Sequence, residues 1–140
     1  MTAMFGALGV ASSGMSTYKT WLDAIADNIA NVNTVRSTAE EAYQSKYVVA
    51  QSVDGSGSGV HAKIGRGTTV ANVIENDPEG IVTYAPDHPL ADADGLVRMP
   101  NVDLGEQMTS MIIAQRAYQM NGTVFERARD SYLLALEIGK

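Results

Sequence analysis

Both ends of the chain carry apolar residues at a seven-residue period, and that feature most restricts what it can become. Leu8, Met15, Leu22 and Ile29 form one series, with Met4, Ala11, Tyr18, Ile25 and Val32 threaded between them. The resulting alternation of three and four, sustained over about 29 residues, is the seam of a coiled-coil-like helix. It predicts a helix from the start of the chain to near Asn33-Thr34, where asparagine tolerates the left-handed conformation of a helix end. The other end repeats the pattern. Leu104, Met111, Tyr118, Phe125 and Tyr132 stand seven apart, and the mostly small Gln107, Ala114, Asn121, Ala128 and Ala135 fall between them. Large beside small lets another helix approach closely. Asp103 and Glu106 read as N-cap and third residue of a capping box, so a helix is expected over 104–137, roughly 50 Å long at 1.5 Å per residue.

The middle changes character. "KYVVAQS", "VHAKI", "TTVANVIE" and "GIVTY" are short runs rich in β-branched residues, separated by turn signals. "GSGSG" (Gly55–Gly59) is a flexible loop or hairpin tip by composition. "DPEG" (Asp77–Gly80) has proline second and glycine fourth, the signature of a β-turn. "APDHPLADADG", with two close prolines, reads as an extended loop. The expected fold is α+β: an N-terminal helical segment over 1–35, a β-rich middle over 36–102 and a C-terminal helix over 103–140.

Two helices far apart in sequence, with a small β unit between, bury too little apolar surface to offset the entropy of ordering them alone. Other chains are expected to supply the missing burial. On that reading the interface residues are Leu8, Met15, Tyr18, Leu22, Ile25, Asn28, Ile29, Asn31 and Val32 at the N-terminal end. At the C-terminal end they are Leu104, Met111, Ala114, Tyr118, Phe125 and Tyr132. The three asparagines within "DNIANVN" are poor helix formers that compete for backbone hydrogen bonds.

Charge and chemistry narrow the function classes. The net charge of −6, from 10 basic against 16 acidic residues, argues against a nucleic-acid partner. The absence of cysteine removes disulfides, thiol catalysis and cysteine-based zinc sites. His61 and His88 lie in different segments, so no metal site is expected. "DADG" (Asp92–Gly95) lacks the third ligand an EF-hand needs at Leu96 and reads as a turn. "NGT" (Asn121–Thr123) matches a glycosylation sequon by chance inside a helix pattern. Tyr118 and Tyr132 are aromatic residues at helical spacing, which pack. No phosphate loop, nucleophile elbow or paired-carboxylate arrangement appears, so no catalysis, cofactor or small-molecule substrate is expected.

The ends then carry a resemblance. "LDAIADNIANVNTV" (Leu22–Val35) resembles the N-terminal signature of bacterial flagellar basal-body rod proteins, an apolar helix running into an A-x-N-[IL]-A-N-x-x-T ending. Ala26, Asn28, Ile29, Ala30, Asn31 and Thr34 match it. "HPLADADGLVRMPNVD" is similar to the N-P-L-A-D-x-x-G-Y-V-x-M-P-N-V-D segment of the proximal rod branch. Pro89 to Asp92, Gly95, Val97 and Met99 to Asp103 coincide, and an R-x-Y-Q-x-N run follows at Arg116, Tyr118, Gln119 and Asn121. His88 replaces the usual asparagine and Leu96 the common tyrosine. The resemblance implies a structural subunit of the proximal rod, exported by the flagellar type III system without a cleaved signal peptide and assembled helically through its terminal helices. In such an assembly Asn28 and Asn31 would bond helix ends or backbone of adjacent subunits and fix the register. Its partners would be other copies of itself and other rod proteins, with the inner-membrane ring and export apparatus met indirectly. Its place would be the basal body in the cell envelope and periplasm. The rival readings are a different rod component and a small acidic type III export chaperone.

Overall fold

The computed structural model describes residues 2–54 and 65–138, with the side chains of 2–5 left aside. "GSGSG" and "VHAKI", with His61 in the latter, lie outside the described residues. Helix α1 runs from Thr2–Ala30, strands β1 and β2 cover Lys46–Ser52 and Thr68–Glu75, β3 and β4 cover Ile81–Tyr84 and Leu96–Met99, and helix α2 spans Leu104–Ile138. The α+β architecture expected from the two periodic ends is the one observed.

Helix α1 ends earlier than the seam suggests, because Asn31 closes it. The side-chain amide of Asn31 donates to the carbonyl of Asp27 at 2.9 Å, occupying an acceptor of the last turn. The backbone N–H of Thr34 then bonds the Asn31 carbonyl, and its hydroxyl bonds the Asn31 side-chain oxygen at 3.1 Å. Val32, expected inside the helix, therefore sits half-buried in the turn that follows. At α2 the predicted cap forms: the Glu106 N–H donates to the Asp103 carboxylate at 3.0 Å.

The middle holds two small antiparallel sheets. β1 pairs with β2 from Lys46↔Glu75 to Ser52↔Thr68, with a bulge at Val49/Ala50. β3 pairs with β4 from Ile81↔Met99 to Tyr84↔Leu96. Strand β4 was not anticipated, since four residues after a glycine turn carry no period of their own. Segment 31–45 ties the pieces together. Arg36 and Arg98 exchange both backbone hydrogen bonds, at 2.8 and 2.9 Å. The Arg98 guanidinium bonds the carbonyls of Thr38 and Glu79, and the Ala42 N–H reaches the Pro78 carbonyl.

The two helices run antiparallel, since Asn28 near the end of α1 meets Gln107 near the start of α2, while Gly14 meets Asn121. The core is thin. Among the described residues the buried apolar ones are Ala11, Ala24, Ile25, Ala42, Val97 and Ala114. The chain exposes 9455 Å², whereas a compact monomer of 14.9 kDa exposes about 7,000 Å². Among the described residues no helix is long and apolar enough to cross a membrane.

Candidate assembly interface

Four elements meet at one polar knot, and Asn28 is its centre. Its side chain is 1 % exposed. The amide nitrogen donates to the Lys46 carbonyl and to the Gln107 side-chain oxygen, both at 3.0 Å. The oxygen accepts from the Lys46 N–H at 2.8 Å and from the Tyr43 hydroxyl at 3.1 Å. A primary amide offers two donors and two acceptor positions, so Asn28 is fully satisfied inside its own chain. Its hydrogen bonds, expected to reach a neighbouring molecule, instead join α1 to α2, β1 and segment 31–45. Asn31 likewise spends its side chain on its own helix end.

The rim of the knot is charged. Lys46 pairs with Asp27, and this hydrogen bond and charge together hold the ammonium pKa above its ordinary value. Burial first, and the Asp27 carboxylate second, push the Tyr43 phenol up, so it remains a donor to Asn28. Farther off, the Asp92 carboxylate accepts from the Leu96 N–H at 2.9 Å, the Thr38 hydroxyl at 2.8 Å and the Asp94 N–H at 3.0 Å. Those bonds, the Leu96 one foremost, hold its pKa below the usual carboxylate range. "DADG" is thus a turn closed by Asp92, with Gly95 at φ 75°.

The β1–β2 hairpin is docked on α1 through hydroxyls one helical turn apart. Ser13 Oγ accepts the Thr68 N–H at 3.1 Å, and the Thr17 and Thr68 hydroxyls lie 3.0 Å apart. Helix α1 is consequently flanked by both the hairpin and α2. Among the described helices and strands, α2 packs on α1 alone.

The anticipated interface residues divide accordingly. Ile25, Asn28 and Ala114 are buried within the chain. Leu8, Met15, Tyr18, Leu22 and Ile29 are half-buried on α1, and Met111, Phe125 and Tyr132 on α2. Leu104 and Tyr118 are exposed. The structure adds large exposed side chains outside both seven-residue series, including Met108, Ile112, Ile113, Met120, Val124 and Leu133, each more than half exposed. Sequence reasoning passed over these, together with Tyr43, Lys46 and the partnering role of Gln107. One signal pointed to Gln107: it shares a heptad column with Ala114, the column that faces α1.

Comparison with known proteins places this geometry. Residues 8–36 match the family described as flagella basal body rod protein. Residues 93–136 match the family described as flagellar basal body rod FlgEFG protein C-terminal. The flagellar basal-body rod protein FlgC of Escherichia coli O6:H1 is 33% identical over 99% of both chains. That of Bacillus subtilis is 31% identical over the full length of both, and that of Borreliella burgdorferi 32% identical over 96% of this chain and 97% of its own. With two helical ends that match rod families and a length that matches the whole relative, the chain belongs to the FlgC family of flagellar basal-body rod proteins.

Proposed function

We propose that this chain is a non-enzymatic building block of the proximal rod, exported without a cleaved signal peptide and assembled in the cell envelope. Its terminal helices pack there against other copies and other rod proteins, while the inner-membrane ring and export apparatus are met only indirectly. The observation that carries the reading is α2. It is a helix of 35 residues covered on one side by α1 and left with large apolar side chains on its other sides. Monomeric proteins rarely leave so much contiguous apolar surface to water, and such surface marks an interaction site. The full-length FlgC relatives support the rod as the place where that surface is covered.

Deleting the gene from the flagellated bacterium that carries it should abolish swimming and leave basal bodies that stop short of the rod in electron micrographs. Expression of the full chain in trans should restore both. Complete rods in the deletion strain would overturn the proposal, as would a chain found only as a compact cytoplasmic dimer bound to another export substrate.

A further inference from the structure

The outer surface of α2 is not uniform: its two flanks carry opposite charge. Gln107, Ala114 and Asn121 define the side that faces α1. At 100° per residue, one flank then presents Ile113, Arg116, Met120, Val124 and Arg127. The other flank, about 110° farther round the helix, presents Met108, Ile112, Glu126, Leu133 and Glu137. All ten are exposed. On the second flank Asp130 is paired with Arg129 beside it, which leaves Glu126 and Glu137 to set its sign. The acid on the first flank, Glu106, lies about 15 Å toward the start of the helix. Oppositely charged residues bordering an apolar strip select partner and orientation when helices pack side by side.

We infer that the occupant of each flank is α2 of another copy of this chain, the arginine flank of one molecule lying on the acidic flank of the next. This rests on the rod reading above and goes further by naming the surfaces. The two flanks are different strips of one helix, each about 120° round the axis from the side that faces α1, so the contact is heterologous. A second molecule bound on one flank leaves its own free flank for a third, and the row stays open instead of closing as a dimer.

The test uses full-length chains in the deletion strain. Arg116→Glu with Arg127→Glu reverses the first flank, and Glu126→Lys with Glu137→Lys reverses the second. Each pair alone should abolish swimming. All four substitutions in one chain should restore it, and so should the two double variants expressed together, because each then presents the flank the other needs. A photo-reactive phenylalanine analogue at Met120 should give an adduct with a second copy at the flank from Met108 to Leu133, reduced at least tenfold by either charge reversal alone. The inference is overturned if either double variant swims as wild type, if neither combination restores swimming, or if the adduct contains only a different protein. A gene-less strain that fails to swim while both double variants swim would sink the flank pairing and leave the rod reading intact; a gene-less strain that swims would sink both.

Discussion

Asn28 and Ser45 are both buried polar residues, each 1 % exposed, and their chemistry predicts opposite responses to alanine. Asn28 satisfies its amide completely, and its loss strands the buried Gln107 side-chain oxygen and unpairs the partly buried Lys46 N–H, Lys46 carbonyl and Tyr43 hydroxyl. Leaving buried partners unpaired costs more than the bonds themselves are worth, so Asn28→Ala should destabilise the fold by about 3 kcal/mol. At this chain length that lowers the melting temperature by roughly 2–4 °C per kcal/mol, measurable by circular dichroism. The Ser45 hydroxyl oxygen has no hydrogen-bond partner among the described residues. Ser45→Ala removes a desolvated polar group without stranding another, and the same melt should show no loss or a gain of up to about 1 kcal/mol. The asparagines of the N-terminal signature were legible as special, since three poor helix formers interrupt a clean seam. Their partners were not legible. Nothing in the sequence spacing brings position 28 to 46, and the heptad column that Gln107 shares with Ala114 does not say which residue Gln107 meets.

Where α1 and α2 cross, close approach depends on one glycine. A Cβ placed on Gly14 would lie 2.5 Å from the side-chain oxygen of Asn121, whose amide is held by the Ala117 carbonyl at 2.8 Å. Alanine in a helix interior gains about 1 kcal/mol over glycine, while overpacking costs about 1–3 kcal/mol. The clash decides the sign: Gly14→Ala alone should lower stability by about 1 kcal/mol, and in an Asn121→Ala background the same change should raise it. A urea double-mutant cycle reads the reversal directly. The loop over 85–95 offers a second handle on how elements are joined. The folded-state pKa of Asp92 is depressed, so its contribution is complete above the ordinary carboxylate pKa, near pH 4. It is lost as pH falls through the lower folded value. Protection of the Leu96 and Asp94 amides, measured against intrinsic exchange at the same pH, should therefore fall below about pH 4, and Asp92→Asn should remove that acid step. Both helices were legible as elements because period and caps agree over four or more heptads. Strand β4 was not, because its four residues are held by pairing with β3 and by the Arg36 exchange, contacts remote in sequence.

Across the whole molecule, specific contacts are concentrated at one end of the helix pair. The Asn28 knot, the Asp27–Lys46 ion pair and the cap at Asp103 all cluster where α1 ends and α2 begins. Beyond the Gly14–Asn121 crossing, α2 continues with Leu133, Leu134, Leu136 and Ile138 exposed. Regions with few buried apolar contacts open locally at lower free energy than the core. Amide exchange on the isolated chain should therefore show a gradient, with protection greatest around Ile25, Asn28 and Ala114 and falling steadily from Phe125 to Ile138. In assembled rods, where neighbours cover the exposed residues, protection over 125–138 should rise to match the rest of α2. Uniform protection in the free chain would mean that the far end of α2 finds its partners within the molecule, and the need for neighbours would disappear with it. The seven-residue periods made the two helices visible, but a period cannot distinguish a partner in the same chain from one in another. The small column of α2 proved to meet α1, and the large apolar residues between the columns are the ones left for an outside surface.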